Sequence, residues 1–460
     1  MRAIIAGAGP AGFACAKWLT DRGYEVVLLE KRDVPGGKVS AWRDQDGDWV
    51  ESGLHVFFGA YNNLLSFLDE CQLRDCFDWK PSEMVFAHPE LGKDALTFVP
   101  WLPPPLNGLA GVAKTRLVSW PDKLRMALGL VRPIFGSQSY LDAQDNQTYA
   151  AWHLRHGMGE RSLREIMDTM ALALNFQTTD NVSAKLPLTA LLHFAQEPGA
   201  ARMGLVKGSP HERIWVPMIE LLERRGARVL LGQRVREICY DAGERRVDGF
   251  RLDDGSLITG DLYVSAMPVH SLRKVLPPAL KAMPYFDNLK YLKGQPVITA
   301  QLYFDRVVTD VDNLIFSAGT HISVYADLPR VSPDYHQGRG SIVELVVAPA
   351  EQLIARSDSE VLDVVLSDFY RMHPAARSAR LLKHHLVRIP NSVYQARPGV
   401  DKYRPDQASP VSNLFLVGDY TQQEFLASIE GAVRSAKRGI ERIDRTAPAL
   451  QGRSALELVS

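Results

Sequence analysis

The chain has 460 residues, 46% of them apolar and 23% charged, with 53 basic against 53 acidic side chains. That length carries two or three domains with a large core, and the even charge leaves no basic footprint for nucleic acid. Four cysteines, Cys15, Cys71, Cys76 and Cys239, form no CxxC pair, which argues against a zinc site or redox dithiol and fits a reducing compartment.

Met1-Arg2 runs at once into an apolar strand, Ala3-Ile4-Ile5-Ala6, so no cleavable leader is expected. The strand feeds Gly7-Ala8-Gly9-Pro10-Ala11-Gly12. A helix follows with Phe13, Ala16 and Leu19 at helical spacing, Gly23 stops it, and a second strand, Glu25–Leu29, ends at Glu30. Each part has a task in holding a dinucleotide. Gly7 permits the tight turn, Gly9 lets backbone approach a pyrophosphate, and Gly12 lets helix and strand pack closely. The helix N-terminus offers N–H groups and a positive dipole end to the phosphates. Glu30, about 20 residues past the glycines, can accept from the ribose hydroxyls.

Gly36-Gly37-Lys38 follows as a flexible basic turn, then Arg43 and Glu51-Ser52-Gly53-Leu54-His55. A Gly-rich hairpin with solvated charges would account for the same residues. Leu96–Gly136 mixes Trp101, Leu102, Leu106, Leu109, Trp120, Leu124, Leu128, Leu130 and Phe135 with five Lys and Arg residues, and Asp122 is its one acid. A Pro-rich loop leading to a helix that starts at Ser119-Trp120-Pro121 suits an interfacial anchor or an amphipathic helix packed on its own core. Further on, Arg228–Ile238 reads as a strand pair, Gly226 and Gly255 as turns, and Val297–Phe304 and Ser341–Ala348 as strands. Near the end, Asn413–Val417 runs into Gly418-Asp419 and a helix-like segment with small residues on one face. No repeat stands out, and no run of about 18 apolar residues predicts a transmembrane helix.

The stretch after Glu30, KRDVPGGKVSAWRDQDGDWVESGLHVFFGAY, resembles the extended FAD fingerprint of the flavin amine oxidase and carotenoid desaturase superfamily. Longer strings narrow the resemblance: Glu51–Tyr61, Ala173–Phe176, Ser323–Asp327, Ser357–Glu360, Ser392–Tyr394, Tyr403–Pro410 and Gly418–Gly431. Together, from about residue 1 to about 443, they are similar to the 15-cis-phytoene desaturases of cyanobacterial and plant type. The implied fold is α/β: a discontinuous Rossmann-like FAD-binding domain (1–85, 205–285 and 400–445) with an inserted α+β substrate domain (286–399), a helical membrane-facing section (86–204) and a loose tail (446–460).

The resemblance implies FAD, held by Gly7, Gly9, Ala11, Gly12, Glu30, Lys31, Gly36, Gly37, Lys38, Arg43, Gly53, Leu54, His55, Val235, Gly418, Asp419, Ile429 and Ala432. Asp419 would take a ribityl hydroxyl, and the following helix would aim its N-terminus at the flavin pyrimidine end. Val235 would lay its backbone on the adenine; a core strand valine explains it as well. Substrate and quinone are expected at Phe57, Phe58, His193 and Tyr420. His193 stands where the family has an arginine; it is shorter and usually neutral at pH 7, and a satisfied helical histidine is the plain alternative.

The implied reaction carries 15-cis-phytoene via phytofluene toward ζ-carotene, with hydride passing to flavin N5 in a dry pocket. No general base and no metal are nominated. A plastoquinone-type membrane quinone would reoxidise the cofactor, with the protein peripheral or monotopic on the cytoplasmic or thylakoid face and forming a homo-oligomer. ζ-Carotene desaturation or carotene cis–trans isomerisation fits the same scaffold. A soluble flavin amine oxidase and a flavin-retaining binding protein that has lost catalysis are the rivals from other classes.

Overall fold

The computed structural model describes residues 1–99, 101–195, 197–335, 340–425 and 427–457, with side chains described as far as residue 446. Strand β1 (Arg2–Ala6), helix α1 (Pro10–Asp21) and strand β2 (Glu25–Leu29) form the expected opening unit. Three strands from far along the chain join it: β3 (Arg228–Leu230), β4 (Leu262–Ser265) and β5 (Leu414–Leu416). Their order is β3-β2-β1-β4-β5, and every pairing is parallel. A parallel sheet is covered on both faces, which is why Ala3 through Ala6 and Val26 through Leu29 are unbroken apolar runs with almost no exposure. Helix α1 packs against the closing helix α2 (Ile429–Glu457), so the chain's two ends lie together.

Gly12 sets how closely α1 lies on this sheet. A Cβ there would stand 1.8 Å from the Gly7 carbonyl oxygen. Gly7 itself has φ +112°, and a Cβ on it would meet the Ala266 carbonyl oxygen at 2.8 Å.

The second layer is a seven-stranded sheet in the order 381–389, 297–304, 342–347, 322–327, 315–317, 83–88, 92–97. Val297–Phe304 is a strand over all eight predicted residues, and Ser341–Ala348 is realised as Ile342–Val347. Two boundaries differ from expectation. The hairpin Glu83–His88 and Gly92–Thr97 belongs to this second sheet, because Val85, Phe86 and Ala87 pair in parallel with Ile315, Phe316 and Ser317. The expected division at 85/86 therefore falls inside a strand. The stretch 228–238 is two strands, but they lie in different sheets: β3 flanks β2, whereas Val235–Asp241 pairs with Arg246–Leu252.

Leu106–Lys114, Trp120–Gly129 and Lys185–Phe194 are among the helices of the section expected to be helical, the first packed on the edge strand Gly92–Thr97. Ser119 caps the second, its Oγ accepting from the Asp122 N–H. The expected tail at 446–460 is instead continued α2 backbone to Glu457; 458–460 lie outside the described residues. Among the described residues no helix is long and apolar enough to cross a membrane.

Gly12→Val should force α1 off the sheet. The expected cost is about 3 kcal/mol or more, read as a lowered Tm and loss of bound FAD in the purified protein.

Candidate cofactor and substrate site

The first glycine turn is held by backbone. The Gly7 N–H donates to the Leu29 carbonyl (2.7 Å) and the Ala8 N–H to Glu30 Oε2 (3.0 Å). Glu30 Oε1 accepts from the Arg32 N–H (3.1 Å). The buried Glu30 carboxylate therefore knits turn and strand end together, with a lone pair left on each oxygen for a ribose hydroxyl. Gly9 precedes α1 without a side-chain cap and Pro10 opens it, so the N–H groups of Ala11 and Gly12 face outward for an anion.

The second glycine turn lies on the first. The Gly36 N–H donates to the Ala8 carbonyl (2.8 Å), and a Cβ on Gly37 would come within 3.0 Å of the Gly9 Cα. Gly36 and Gly37 have φ of +100° and +60°, a region that favours glycine. Trp215, which sequence reasoning missed, braces the turn: its Nε1–H donates to the Val39 carbonyl (2.6 Å), and its ring stacks on Phe13 at 5.2 Å. Lys38 Nζ then reaches Asp419 Oδ2 at 2.9 Å, joining residues 381 positions apart.

Positive charge accumulates here. Burial, and then Lys38, Lys31 and Lys274, push the His270 imidazole down to about 4. Burial also lowers Lys31, with Arg32, Arg234 and Lys274 adding to the effect against the attraction of Glu30. Crowded cations beside an open helix N-terminus and close-set glycines suit a pyrophosphate, so the residues present fit FAD. His270 and Lys274 carried no signal in the sequence, because only the fold brings them to Lys31 and Lys38.

Val235 is buried as the first residue of its strand. The Glu30 N–H donates to the Leu230 carbonyl and the Gln233 N–H to the Glu30 carbonyl, which sets Val235 two residues past the ribose-end contact. Arg43 is placed differently from expectation. It lies at the exposed end of the hairpin Ala41–Arg43 and Trp49–Glu51, over the Trp49 ring (4.2 Å), donating to the Gly47 carbonyl (2.6 Å) and pairing with Glu212 (3.1 Å). Those partners satisfy its guanidinium away from Lys38. The same hairpin converges Asp44, Asp46 and Asp48, and Lys383 Nζ fills their centre at 2.6 to 2.9 Å.

On the far side of the cofactor groove, the His55 ring meets the Lys38 carbonyl through Nε2 (2.8 Å), and Gly53 leaves room beside Thr299. Phe58 packs on Phe194 (4.9 Å) and Tyr61 (5.5 Å), and Tyr61 and His193 both meet Phe425 (5.5 and 4.6 Å). Burial holds the His193 imidazole below its usual range, and its Nε2 is buried without a partner. Phe57 does not join this cluster: alternation along its strand turns it the other way, onto Phe77 (4.6 Å), in the core. Tyr420 is buried against Gly418, with its hydroxyl unpartnered. Ser428 Oγ accepts from the Gly431 N–H at the start of α2, near Ile429 and the buried Ala432.

Arg404 organises the C-terminal half of the site and was also missed, although its string YRPDQ was noted. Its buried guanidinium donates to the carbonyls of Asp419, Tyr420, Thr421 and Gln423 and to Asp401 Oδ1. A cation that gathers four carbonyls of the 419–423 loop fixes where Asp419 points.

The chain matches the family "Flavin containing amine oxidoreductase" over residues 10–443. It is 42% identical to a 15-cis-phytoene desaturase of Synechococcus elongatus, across 99% of this chain and 98% of that one. It is 41% identical to the chloroplastic/chromoplastic 15-cis-phytoene desaturase of Solanum lycopersicum, across 99% of this chain and 79% of that one. An oxidoreductase from Methanosarcina mazei shares the fold, with TM-score 0.76 at 18% identity, covering 96% of this chain and 100% of that one. The chain belongs to the flavin-containing amine oxidoreductases and, within them, to the 15-cis-phytoene desaturase family. FAD is its cofactor.

Arg404→Met should release the 419–423 loop while keeping the side chain's bulk. Losing charge-assisted bonds worth about 2 kcal/mol should weaken FAD retention more than tenfold, read as flavin absorbance per protein after gel filtration.

Proposed function

We propose that the protein desaturates 15-cis-phytoene, via phytofluene, toward ζ-carotene in carotenoid biosynthesis. It is an FAD-dependent oxidoreductase acting on a CH–CH pair. The observation that carries this reading is the union of the two site halves, the glycine turns and the Gly418-Asp419 loop, through Lys38 and Asp419 in a chain of this family. When bound, FAD supplies the hydride acceptor. Gly7 and Gly12 let turn, helix and sheet close up, Gly9 and Gly37 let the two glycine turns meet, Lys31 and Lys38 balance its phosphates, and Asp419 keeps one oxygen free for a ribityl hydroxyl. Phe58, Tyr61, Phe194 and Phe425 supply an apolar wall that excludes water and positions a polyene.

A membrane quinone is the proposed acceptor, taken up beside the unpartnered His193 Nε2 and the Phe425 ring. Both reactants are insoluble in water, so the protein works at a bilayer surface. Support comes from the stretch 101–135, where Trp101, Trp120 and Phe135 are 81%, 71% and 73% exposed, with Leu106, Leu124 and Leu128 also out in solvent. Lys114, Arg116, Arg125 and Arg132 of the same stretch are exposed, Arg132 over the Tyr140 ring. An exposed apolar patch set among cations suits anionic headgroups and the acyl boundary beneath them.

Expression in a bacterium that accumulates 15-cis-phytoene should convert the pigment to ζ-carotene, resolved by chromatography with absorbance spectra. Unchanged phytoene beside folded, flavin-loaded protein would overturn the substrate assignment. Replacing Trp120, Leu124 and Leu128 together by Ser should leave bound FAD and Tm unchanged but abolish co-flotation with anionic liposomes. Full flotation of that variant would remove the bilayer role from this patch.

A further inference from the structure

Pairing of Val297–Phe304 with Ile342–Val347 sets Gln301 opposite Glu344. Glu344 is fully buried, and neither of its carboxyl oxygens has a hydrogen-bond partner. Gln301 donates its Nε2–H to the Trp49 carbonyl (3.1 Å), which leaves its Oε1 buried and unpartnered as well. A carboxylate beside an amide oxygen puts two acceptors together; a carboxylic acid can donate across the gap. Burial, and then the charge of Glu51, hold the Glu344 carboxyl well above the usual carboxylate range, which favours its neutral acid form.

A second gap lies beside it. The Tyr335 hydroxyl donates to Glu51 Oε1 (2.5 Å), and Glu51 Oε2 lies 3.7 Å from His55 Nδ1. His55 Nε2 is 2.8 Å from the Lys38 carbonyl, a contact that requires the N–H on Nε2. Nδ1 is then a buried lone pair with no partner, aimed at a carboxylate oxygen. One proton would close this contact. The other titratable groups facing the row are Tyr335 and Tyr303, both raised first by burial and then by nearby carboxylates, with Lys383, Asp44 and Asp48 beyond Tyr303. His55 touches the Lys38 carbonyl while the Lys38 side chain pairs with Asp419, so the contact lies beside the two loops of the cofactor site.

We propose that Glu51 and His55, backed by the neutral acid Glu344, store a proton: the pair gains one when the cofactor is reduced and releases it on reoxidation. The idea rests on the desaturase reading above. When a saturated C–C bond becomes a double bond, two C–H bonds break. One hydrogen leaves with its electron pair as hydride and reduces the cofactor. The other leaves as a proton to the Glu51–His55 contact, and the electron pair it leaves behind becomes the new π bond. A quinone acceptor then takes the hydride equivalent and the stored proton and becomes the hydroquinone. Both protons of the hydroquinone thus derive from the substrate, and neither half-reaction calls on bulk water inside a dry pocket.

The test is the pH dependence of the cofactor's reduction potential in the holoenzyme, above neutral pH, where free flavin takes up one proton per two electrons. The wild type should take up two, doubling the slope. Glu51→Gln should return it to one, because the amide satisfies Tyr335 and His55 Nδ1 without a proton; His55→Gln is the second variant should that one not fold, with the same expected slope. Glu344→Gln copies the neutral acid, so it should keep the two-proton slope and lose an infrared carboxylic-acid band. A one-proton slope in the wild type, or a two-proton slope surviving Glu51→Gln, overturns the storage site. Wild type lacking the band removed by Glu344→Gln overturns the neutral backing acid. Protein that purifies without FAD, or binds FAD but leaves phytoene unchanged, fails the desaturase reading instead, and the slope separates the two failures.

Discussion

The site depends on the pairing of β5 with β4. Tyr263, Val264 and Ser265 lie beside Leu414, Phe415 and Leu416, and the Val417 N–H donates to the Ser265 carbonyl. That register delivers Gly418-Asp419 next to Ala266, the residue that presses on Gly7. The loop closed is long, but closure entropy grows only slowly with length, and the strands it aligns are buried on both faces. The Lys38–Asp419 pair follows from this arrangement. Lys38 is about a third exposed, and such a pair contributes little stability by itself. Its weight lies in geometry, since it appears only when sheet, glycine turn and C-terminal loop are all in place.

What could be read from the sequence was what is local. A strand, GxGxxG, helix, strand and acid within 30 residues is a complete device, and the glycines show their purpose in the space that a Cβ would fill. The GD pair before a helix gained meaning from that device. Trp215, His270, Lys274 and Arg404 stayed silent because their tasks exist only across the fold: a tryptophan under a turn 176 residues away, an arginine among loop carbonyls. Arg43 and Phe57 lie apart from the assembled residues for the opposite reason. Each sits beside true site residues in sequence, yet alternation along a strand turns Phe57 to the core, and Trp49, Gly47 and Glu212 hold Arg43 at the surface.

If His193 stands where the family has an arginine, as the resemblance implies, the exchange alters the site without disturbing its frame. The ring packs on Phe425 as an aromatic would, so the wall around Phe58 and Tyr61 is kept. An arginine there would bring a permanent charge and several donors into an apolar enclosure. A neutral imidazole brings one N–H, and burial favours that neutral form.

Sequences usually place apolar groups inside, balance charge and satisfy buried polar atoms, and departures from that consistency tend to coincide with function. Three stand out here, and they differ in kind. Lysines crowd His270 with too few acids, an imbalance that an anion corrects. Trp101, Trp120 and Phe135 face solvent together, an exposure that an apolar phase corrects. Glu344 and His55 Nδ1 lack partners beneath the substrate sheet, a deficit that protons correct. Each deficit is filled by something the chain does not contain, and under the proposed function each filler would belong to one reaction: a cofactor with a pyrophosphate, a lipid phase holding the polyene, and the proton that accompanies a hydride. On that reading a single chemistry accounts for three unrelated physical anomalies, whereas a soluble amine oxidase would need the first and leave the second without a cause.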